Sequence, residues 1–462
     1  MKTRFAPSPT GWMHFGNLRT ALFNFLYARK MNYTYMLRIE DTDLARSSHE
    51  FATGLEEDLD WLHLEHDEGP FFQSERSSIY EKYYNVLEDY GLAYPCFCTE
   101  ETLNITRKAQ QSAGQPPRYP GTCRNLTKEE VSKKFAAGAK ATLRFHVPRD
   151  QVIEFVDLIK GSQRFSSNDI GDFIIRRNDR TASFMFCNAI DDAEMGVTHA
   201  LRGDDHLTNT PRQLMILNAL KLPHPEYGHF AMINGLDGAP LSKRNGSQTV
   251  RELRAQGYLP LAVLNYLSRL GHYYVSNDFL SLKQLEEQFD LKNISTSPAR
   301  HDITHLNHWQ KEAIMHSSLP EIEALIHPYV YDKIAPNEHA EFTLLVKDNI
   351  LMPQDVKLWV SAVRDPSLEF SDSDSQILQQ TGVDFFCKAK DEIVTNPGIN
   401  FKELAENMKN LTGLKGKELF MPLRVALTGQ SHGPELAKLM NFIPQELRIK
   451  RFDTVIEHLS SG

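Results

Sequence analysis

The chain has 462 residues, 41% of them hydrophobic and 24% charged, with a formal net charge of −9. That length exceeds the roughly 250–300 residues at which one hydrophobic core stops growing, so two to four domains are expected, and no apolar run nears the roughly 18–20 residues of a membrane helix. The negative balance excludes a generally basic nucleic-acid binder but not a local basic groove, while five cysteines and no apolar signal core behind Met1-Lys2-Thr3-Arg4 argue against a disulfide framework and for a cytoplasmic protein.

In chain order, residues 3–6 read as a short strand and 7–16 as a Pro- and Gly-punctuated loop. Asn17 opens a helix, with Leu18, Ala21, Leu22, Phe25 and Leu26 on one face. Residues 33–39 read as the next strand, and strand, helix, strand is the start of a parallel α/β sheet. From 96 to 190 cysteines, a polar stretch and β-rich segments replace the alternation, which reads as an insertion into the sheet domain. Residues 197–202 return to strand. Thr210-Pro211 suits a helix start, as N-cap and first-turn proline. Residues 229–234 form another expected strand, followed by a loop with Leu241-Ser242-Lys243-Arg244. From 250 to 310 the pattern is mixed and mostly helical. Beyond 315 strand signals fade, and segments such as 401–411 and 444–459 read as helix.

Two short signatures carry chemistry. Arg4-Phe5-Ala6-Pro7-Ser8-Pro9-Thr10-Gly11 runs into His14-Phe15-Gly16-Asn17 at a strand-to-helix junction. A helix N-terminus offers free N–H groups and partial positive charge to phosphates, and His14 can donate a hydrogen bond there. Lys243, on a short basic loop, is a natural second clamp. One close charge pair is worth roughly 4 kcal/mol at an effective dielectric of 20. The usual rival phosphate loops, G-x-x-x-x-G-K-[ST] and G-x-G-x-x-G, are absent.

These two signatures, with Arg19-Thr20-Ala21-Leu22, Leu37-Arg38-Ile39-Glu40-Asp41-Thr42-Asp43, Asp191-Asp192, Leu201-Arg202-Gly203-Asp204-Asp205-His206 and Asn209-Thr210-Pro211-Arg212-Gln213, resemble the class I aminoacyl-tRNA synthetases, and among them the bacterial glutamyl-tRNA synthetase family. The matches span about residues 4–245. The resemblance implies an α/β fold: a Rossmann-like catalytic domain (1–95 and 191–245) carrying an inserted α+β acceptor-binding domain (96–190). A stem-contact domain (246–315) and a helical anticodon-binding domain (316–462) would follow. It implies a monomer that uses ATP with Mg²⁺ to join L-glutamate to tRNA through glutamyl-adenylate.

Carried over residue by residue, Arg4, Ser8, Glu40, Phe184, Asn188 and Arg202 would surround glutamate. Thr10, His14, Gly16, Asn17, Asp205 and Lys243 would contact ATP, with Met232 and Ile233 bordering the adenine. Guanidinium suits a carboxylate and pairs poorly with a neutral amide, which gives a reason for choosing glutamate over glutamine. The chain departs from the family at four places. Phe15 replaces the usual isoleucine or valine, and Pro240 the first lysine of the second signature. Asn245 replaces a common histidine, and Phe184 a tyrosine of the pocket. A second, specialised copy of the enzyme would fit these departures.

Cys96-x-Cys98 and Cys123 are similar to the zinc-binding insertion of some members, and Tyr119 matches a tyrosine ligand of the related glutamyl-queuosine tRNA(Asp) synthetase. Structural Zn²⁺ is one expectation and three reduced thiols the other. The queuosine-type enzyme, or a non-catalytic RNA-binding paralogue, are the alternative functions. The length beyond 310 argues against the first, His14 and Lys243 against the second.

Overall fold

The computed structural model describes residues 1–43, 46–242 and 246–460. The chain divides into two compact units, one of Met1–Ala255 with Val263–Leu306 and one of Gln256–Ala262 with Asn307–Gly462.

The first unit is built on a parallel sheet. Strand β1 (Lys2–Phe5) leads through helix α1 (Phe15–Met31) to β2 (Thr34–Ile39), then α2 (His49–Trp61) to β3 (Glu68–Phe72). Helix α3 (Ser77–Asp89) follows. Strand β4 (Ala93–Cys96), helices α4 (Glu100–Ser112) and α5 (Lys128–Ala136), and β5 (Thr142–Phe145) come next. The hairpin β6 (Val152–Asp157) and β7 (Gly161–Ser166), the short α6 (Ser167–Ile170) and β8 (Phe173–Arg176) complete this stretch. Helix α7 (Phe184–Glu194), β9 (His199–Gly203), α8 (Thr210–Leu220) and β10 (Glu226–Phe230) return the chain to the main sheet. The order there is β10-β9-β1-β2-β3, all parallel. Strands β4, β5 and β8 form a separate antiparallel sheet, and β6 and β7 pair with each other. The chain thus leaves the parallel sheet and comes back, as expected of an insertion.

Two expectations at element ends are corrected. Helix α8 begins with Asn209 as N-cap, not Thr210, whose hydroxyl accepts a hydrogen bond from Arg202 instead. The strand expected over 229–234 is split. β10 ends at Phe230, and β11 (Ile233–Asn234) joins a second sheet with β12 (Ala299–Arg300). The backbone turns out of the main sheet at Ala231, whose carbonyl accepts from Arg19 on α1.

In the second unit every regular element among the described residues is helical. Ile322, Phe342, Trp359, Phe386, Leu404, Leu423 and Phe452 form its core. Arg451, fully buried there, donates to the carbonyls of Ala362, Leu427 and Asp365, at or near the C-terminal ends of two helices, Val356–Arg364 and Lys417–Thr428. Those carbonyls have no partner within their own helix. No helix among the described residues is long and apolar enough to cross a membrane.

Candidate active site

In an open parallel sheet the crevice forms where neighbouring strands lead away in opposite directions. Here that point lies between β1 and β9, since β1 runs on to β2 on one side and β9 to β10 on the other. A cavity of about 390 Å³ opens there. Arg4, Ser8, Thr10, His14, Gly16, Asn17, Glu40, Phe184, Asn188, Arg202, Asp205, Met232 and Ile233 all line it. The structure therefore brings together every residue singled out for the amino-acid and nucleotide sites except Lys243, which lies outside the described residues.

One half of the cavity rests on a buried chain of charges and amides. Arg38 Nη1 contacts Asp192 at 2.7 Å, and Arg4 Nε reaches the same oxygen at 3.2 Å. Arg38 Nη2 lies 3.3 Å from Glu40, which accepts from Asn188 Nδ2 at 2.5 Å. Asn188 Oδ1 accepts from Gln213 Nε2 at 2.8 Å, and Gln213 Oε1 accepts from Arg202 Nη2 at 2.7 Å. Arg38 and Glu40 are two residues apart on β2, so both point to one face of the strand. Burial opposes the Arg38 charge, but Asp192 and then Glu40 hold its pKa above the ordinary value. Burial raises the pKa of Glu40, against the pull of Arg38, Arg4 and Asn188. Burial lowers the Arg202 pKa to about 10, which leaves it charged at neutral pH. Its Nη1 is buried with no partner among the described residues. A buried guanidinium with one open prong is a ready partner for a carboxylate. Phe184 lines the same cavity, its ring 5.2 Å from that of His206, and burial, with the Arg202 charge next, lowers the His206 pKa to about 4.

The other half is the strand-to-helix turn. Helix α1 starts two residues earlier than expected, with His14 as its N-cap. His14 Nδ1 accepts from the Gly16 backbone at 3.2 Å, which leaves Nε2 to carry the proton as a donor. Desolvation lowers its pKa and favours that neutral form. A Cβ on Gly16 would stand 3.1 Å from His14 Cε1, so this glycine makes room for the imidazole. Gly203 serves Asp205 in the same way, since a Cβ there would lie 2.5 Å from Asp205 Oδ1. Phe15 points away, fully buried 4.9 Å from the His301 ring, which explains why an aromatic is accepted at that place.

Described residues on either side of 243–245 lie at the site. Leu241 lines the cavity, and Thr249 forms a β-bridge with His14. The Val250 amide donates to the Met13 carbonyl at 2.9 Å. Pro240 sits on a tight turn bridged to Asn234.

Within the insertion the three sulfurs of Cys96, Cys98 and Cys123 lie within 4.8 Å of one another. Cys98 and Cys123 are 3.7 Å apart, and Tyr119 Oη is 3.3 Å from Cys96 and 3.5 Å from Cys98. A tetrahedral zinc with sulfurs at about 2.3 Å needs sulfur separations of about 3.8 Å, so these donors fit such an ion. Arg144 stacks on the Tyr119 ring at 3.8 Å. Burial raises the Cys96 thiol, but its contacts with Tyr119 and Arg144 bring it down to about 7.

Several residues of the site carried no role in the sequence reading. Arg38, Asp192, Gln213, His229 and Asp157 lie behind the cavity, and Arg19, Thr20 and His206 line it. The Arg38-x-Glu40 alternation on a strand was a usable signal. For Asp157 the sequence offers none.

Comparison with known proteins identifies the family. Residues 1–308 match the family described as tRNA synthetases class I (E and Q), catalytic domain, and residues 369–456 match the anticodon binding domain. The chain is 50% identical over 454 residues to glutamate–tRNA ligase 2 of Coxiella burnetii, covering 96% of this chain and 97% of that one. It is 51% identical over 448 residues to glutamate–tRNA ligase 2 of Nitrosococcus oceani, covering 95% of each. The crystal structure of a glutamate tRNA ligase from Elizabethkingia meningosepticum in complex with its amino acid superposes with a TM-score of 0.89 at 25% identity, covering 99% of both chains. With a matched catalytic domain over two-thirds of its length and relatives at half identity along nearly all of it, the chain belongs to the class I tRNA synthetases of the glutamate and glutamine group.

Proposed function

We propose that this chain ligates L-glutamate to tRNA in two steps with ATP. In the first, an oxygen of the amino-acid α-carboxylate attacks the α-phosphorus of ATP. The bond to pyrophosphate breaks, and glutamyl-adenylate forms. In the second, the terminal ribose hydroxyl of tRNA loses its proton and attacks the carbonyl carbon, and AMP leaves.

The observation that carries this reading is the open, buried prong of Arg202 on the same cavity as the capped start of α1. Arg202 and Arg4 would take substrate carboxylates and Glu40 the ammonium, with Ser8, Phe184 and Asn188 framing the side chain. His14 would donate from Nε2 to a phosphate oxygen, beside Thr10, Gly16, Asn17 and Asp205. Met232 and Ile233 would border the adenine. Lys243 would neutralise the charge that moves onto pyrophosphate. No group of the protein becomes covalently attached, so catalysis is positioning and charge stabilisation.

Mg²⁺ would accompany the ATP phosphates and neutralise their charge. Zn²⁺ would be held by Cys96, Cys98, Cys123 and Tyr119 and would brace the insertion. Residues 96–190 would take the acceptor end of tRNA, 246–315 the stem and 316–462 the anticodon. The matched anticodon domain at 369–456 speaks against a queuosine-type enzyme that lacks one. The enzyme would act as a cytoplasmic monomer. The chain would be one of two copies, for which tRNA(Glu), tRNA(Gln) or both are acceptors; its relatives carry both numerals, 1 and 2. Pyrophosphate exchange dependent on glutamate, ATP and tRNA is the expected result; no exchange with any tRNA would overturn the reading.

A further inference from the structure

Arg202 is held from behind by an imidazole rather than an acid. Arg202 on β9 and His229 on β10 are register partners across the sheet, so their side chains share one face. Arg202 Nε donates to His229 Nε2 at 3.0 Å. That nitrogen must therefore be bare, and the ring proton sits on Nδ1, facing Asp157 Oδ2 at 2.5 Å. The other Asp157 oxygen accepts from three backbone amides, those of Ile159 at 3.0 Å, Lys160 at 2.8 Å and His229 at 3.2 Å. The side chains of Asp157 and His229 are both fully buried. Arg202 Nη2 is taken by Thr210 and Gln213, so Nε and Nη2 together fix the plane of the fork and leave Nη1 open.

We infer that Asp157 and His229 form a positioning dyad that sets the Arg202 fork for the side-chain carboxylate of the substrate and thereby governs glutamate affinity and its margin over glutamine. The inference rests on Arg202 holding that carboxylate. The physical advantage is specific. A carboxylate placed directly on Arg202 would fix its geometry but cancel its charge. A neutral imidazole fixes the geometry and leaves the charge for the ligand. Asp157 selects the tautomer from the far side, and it comes from the end of β6 in the inserted hairpin, 72 residues away from His229 in sequence.

The test is steady-state glutamylation of unfractionated tRNA by the full chain, with the KM for glutamate, the KM for ATP and the glutamate-to-glutamine kcat/KM ratio measured alongside thermal melting. Asp157→Asn keeps an oxygen for the backbone amides but offers N–H to His229 Nδ1. The ring proton then moves to Nε2 and points at the Arg202 Nε–H. This variant should raise the glutamate KM about tenfold or more, the loss of one charge-assisted hydrogen bond, and narrow the ratio, with the ATP KM within about twofold of wild type. His229→Leu should do the same. His229→Gln, whose amide oxygen replaces the bare nitrogen, should recover most of the affinity. Equal glutamate KM values for His229→Leu and His229→Gln, or a parallel rise in both KM values, would overturn the dyad; this pair decides the matter even if Asp157→Asn does not fold. Arg202→Gln runs in the same assay. If it leaves the glutamate KM unchanged, the underlying assignment of Arg202 fails and takes the dyad with it. If it raises the KM while the dyad variants do not, only the dyad fails.

Discussion

The charge of Arg202 stays free for a ligand because Thr210, Gln213 and His229, the groups that hold it, are all neutral. A lysine at that place offers one ammonium and cannot reach all three while also meeting a carboxylate. Arg202→Lys should therefore lower kcat/KM for glutamate by roughly a hundredfold, about 3 kcal/mol, with the ATP KM little changed. A loss under about threefold would show that the guanidinium is not the anchor. Phe184 is the complementary case. Its ring lines the cavity beside His206. Phe184→Tyr should lower the glutamate KM, and an unchanged or higher value would count against its contact with substrate. Most residues that touch the cavity were legible in the sequence, because short motifs bring chemistry to a loop, although Arg19, Thr20 and His206, which also line it, carried no role there. Those behind it were not. Asp192 meets Arg4 across 188 positions, and no local pattern announces such a pair.

The junction between the two signatures is packed by Trp12. Its ring lies against Phe51 on α2 at 5.1 Å and under the Arg251 guanidinium at 4.7 Å, on helix α9 (Val250–Gln256). A Cβ on Gly54 of α2 would lie 2.3 Å from Trp12 Cζ3. Glycine to alanine inside a helix ordinarily stabilises by about 1 kcal/mol. Gly54→Ala should do the reverse, lowering both the melting temperature and glutamylation, and a raised melting temperature with full activity would refute this packing role. Asp58, buried on the same helix near Arg254 and Arg251, has its pKa pushed up to about 7 by burial. Its contribution to stability is full below the ordinary carboxylate pKa of about 3.9 and is lost as pH rises through 7. Asp58→Asn should thus add stability that grows from about pH 4 to 7 and then levels off. A gain that is constant across melting curves from pH 5 to 8 would contradict the assignment. The strand expected over 229–234 failed for an element-scale reason. Periodicity reports burial, and residues 227–230 and Ile233 are all buried, though β10 and β11 lie in different sheets.

At the scale of the whole molecule, the parallel sheet, the insertion and the helical C-terminal part were readable from the alternation of patterns and its loss beyond residue 315. The split of the chain at residues 256–262 was not, because that segment joins the second unit through tertiary contacts rather than through composition. The insertion makes its own claim. Purified protein should carry about one zinc per chain by elemental analysis, as a closed four-ligand site requires, and Cys98→Ser or Cys123→Ser should abolish it; metal-free protein of normal stability would leave the thiols without that role. The central claim is that one cavity binds glutamate by its carboxylate and activates it on ATP, with Lys243 serving the phosphates. The most direct measurement is the Lys243→Ala variant in glutamate- and tRNA-dependent pyrophosphate exchange. The expected result is a fall of roughly a thousandfold in exchange rate with glutamate KM nearly unchanged. Equal losses in both, or no exchange by the unsubstituted chain with any tRNA, would contradict it.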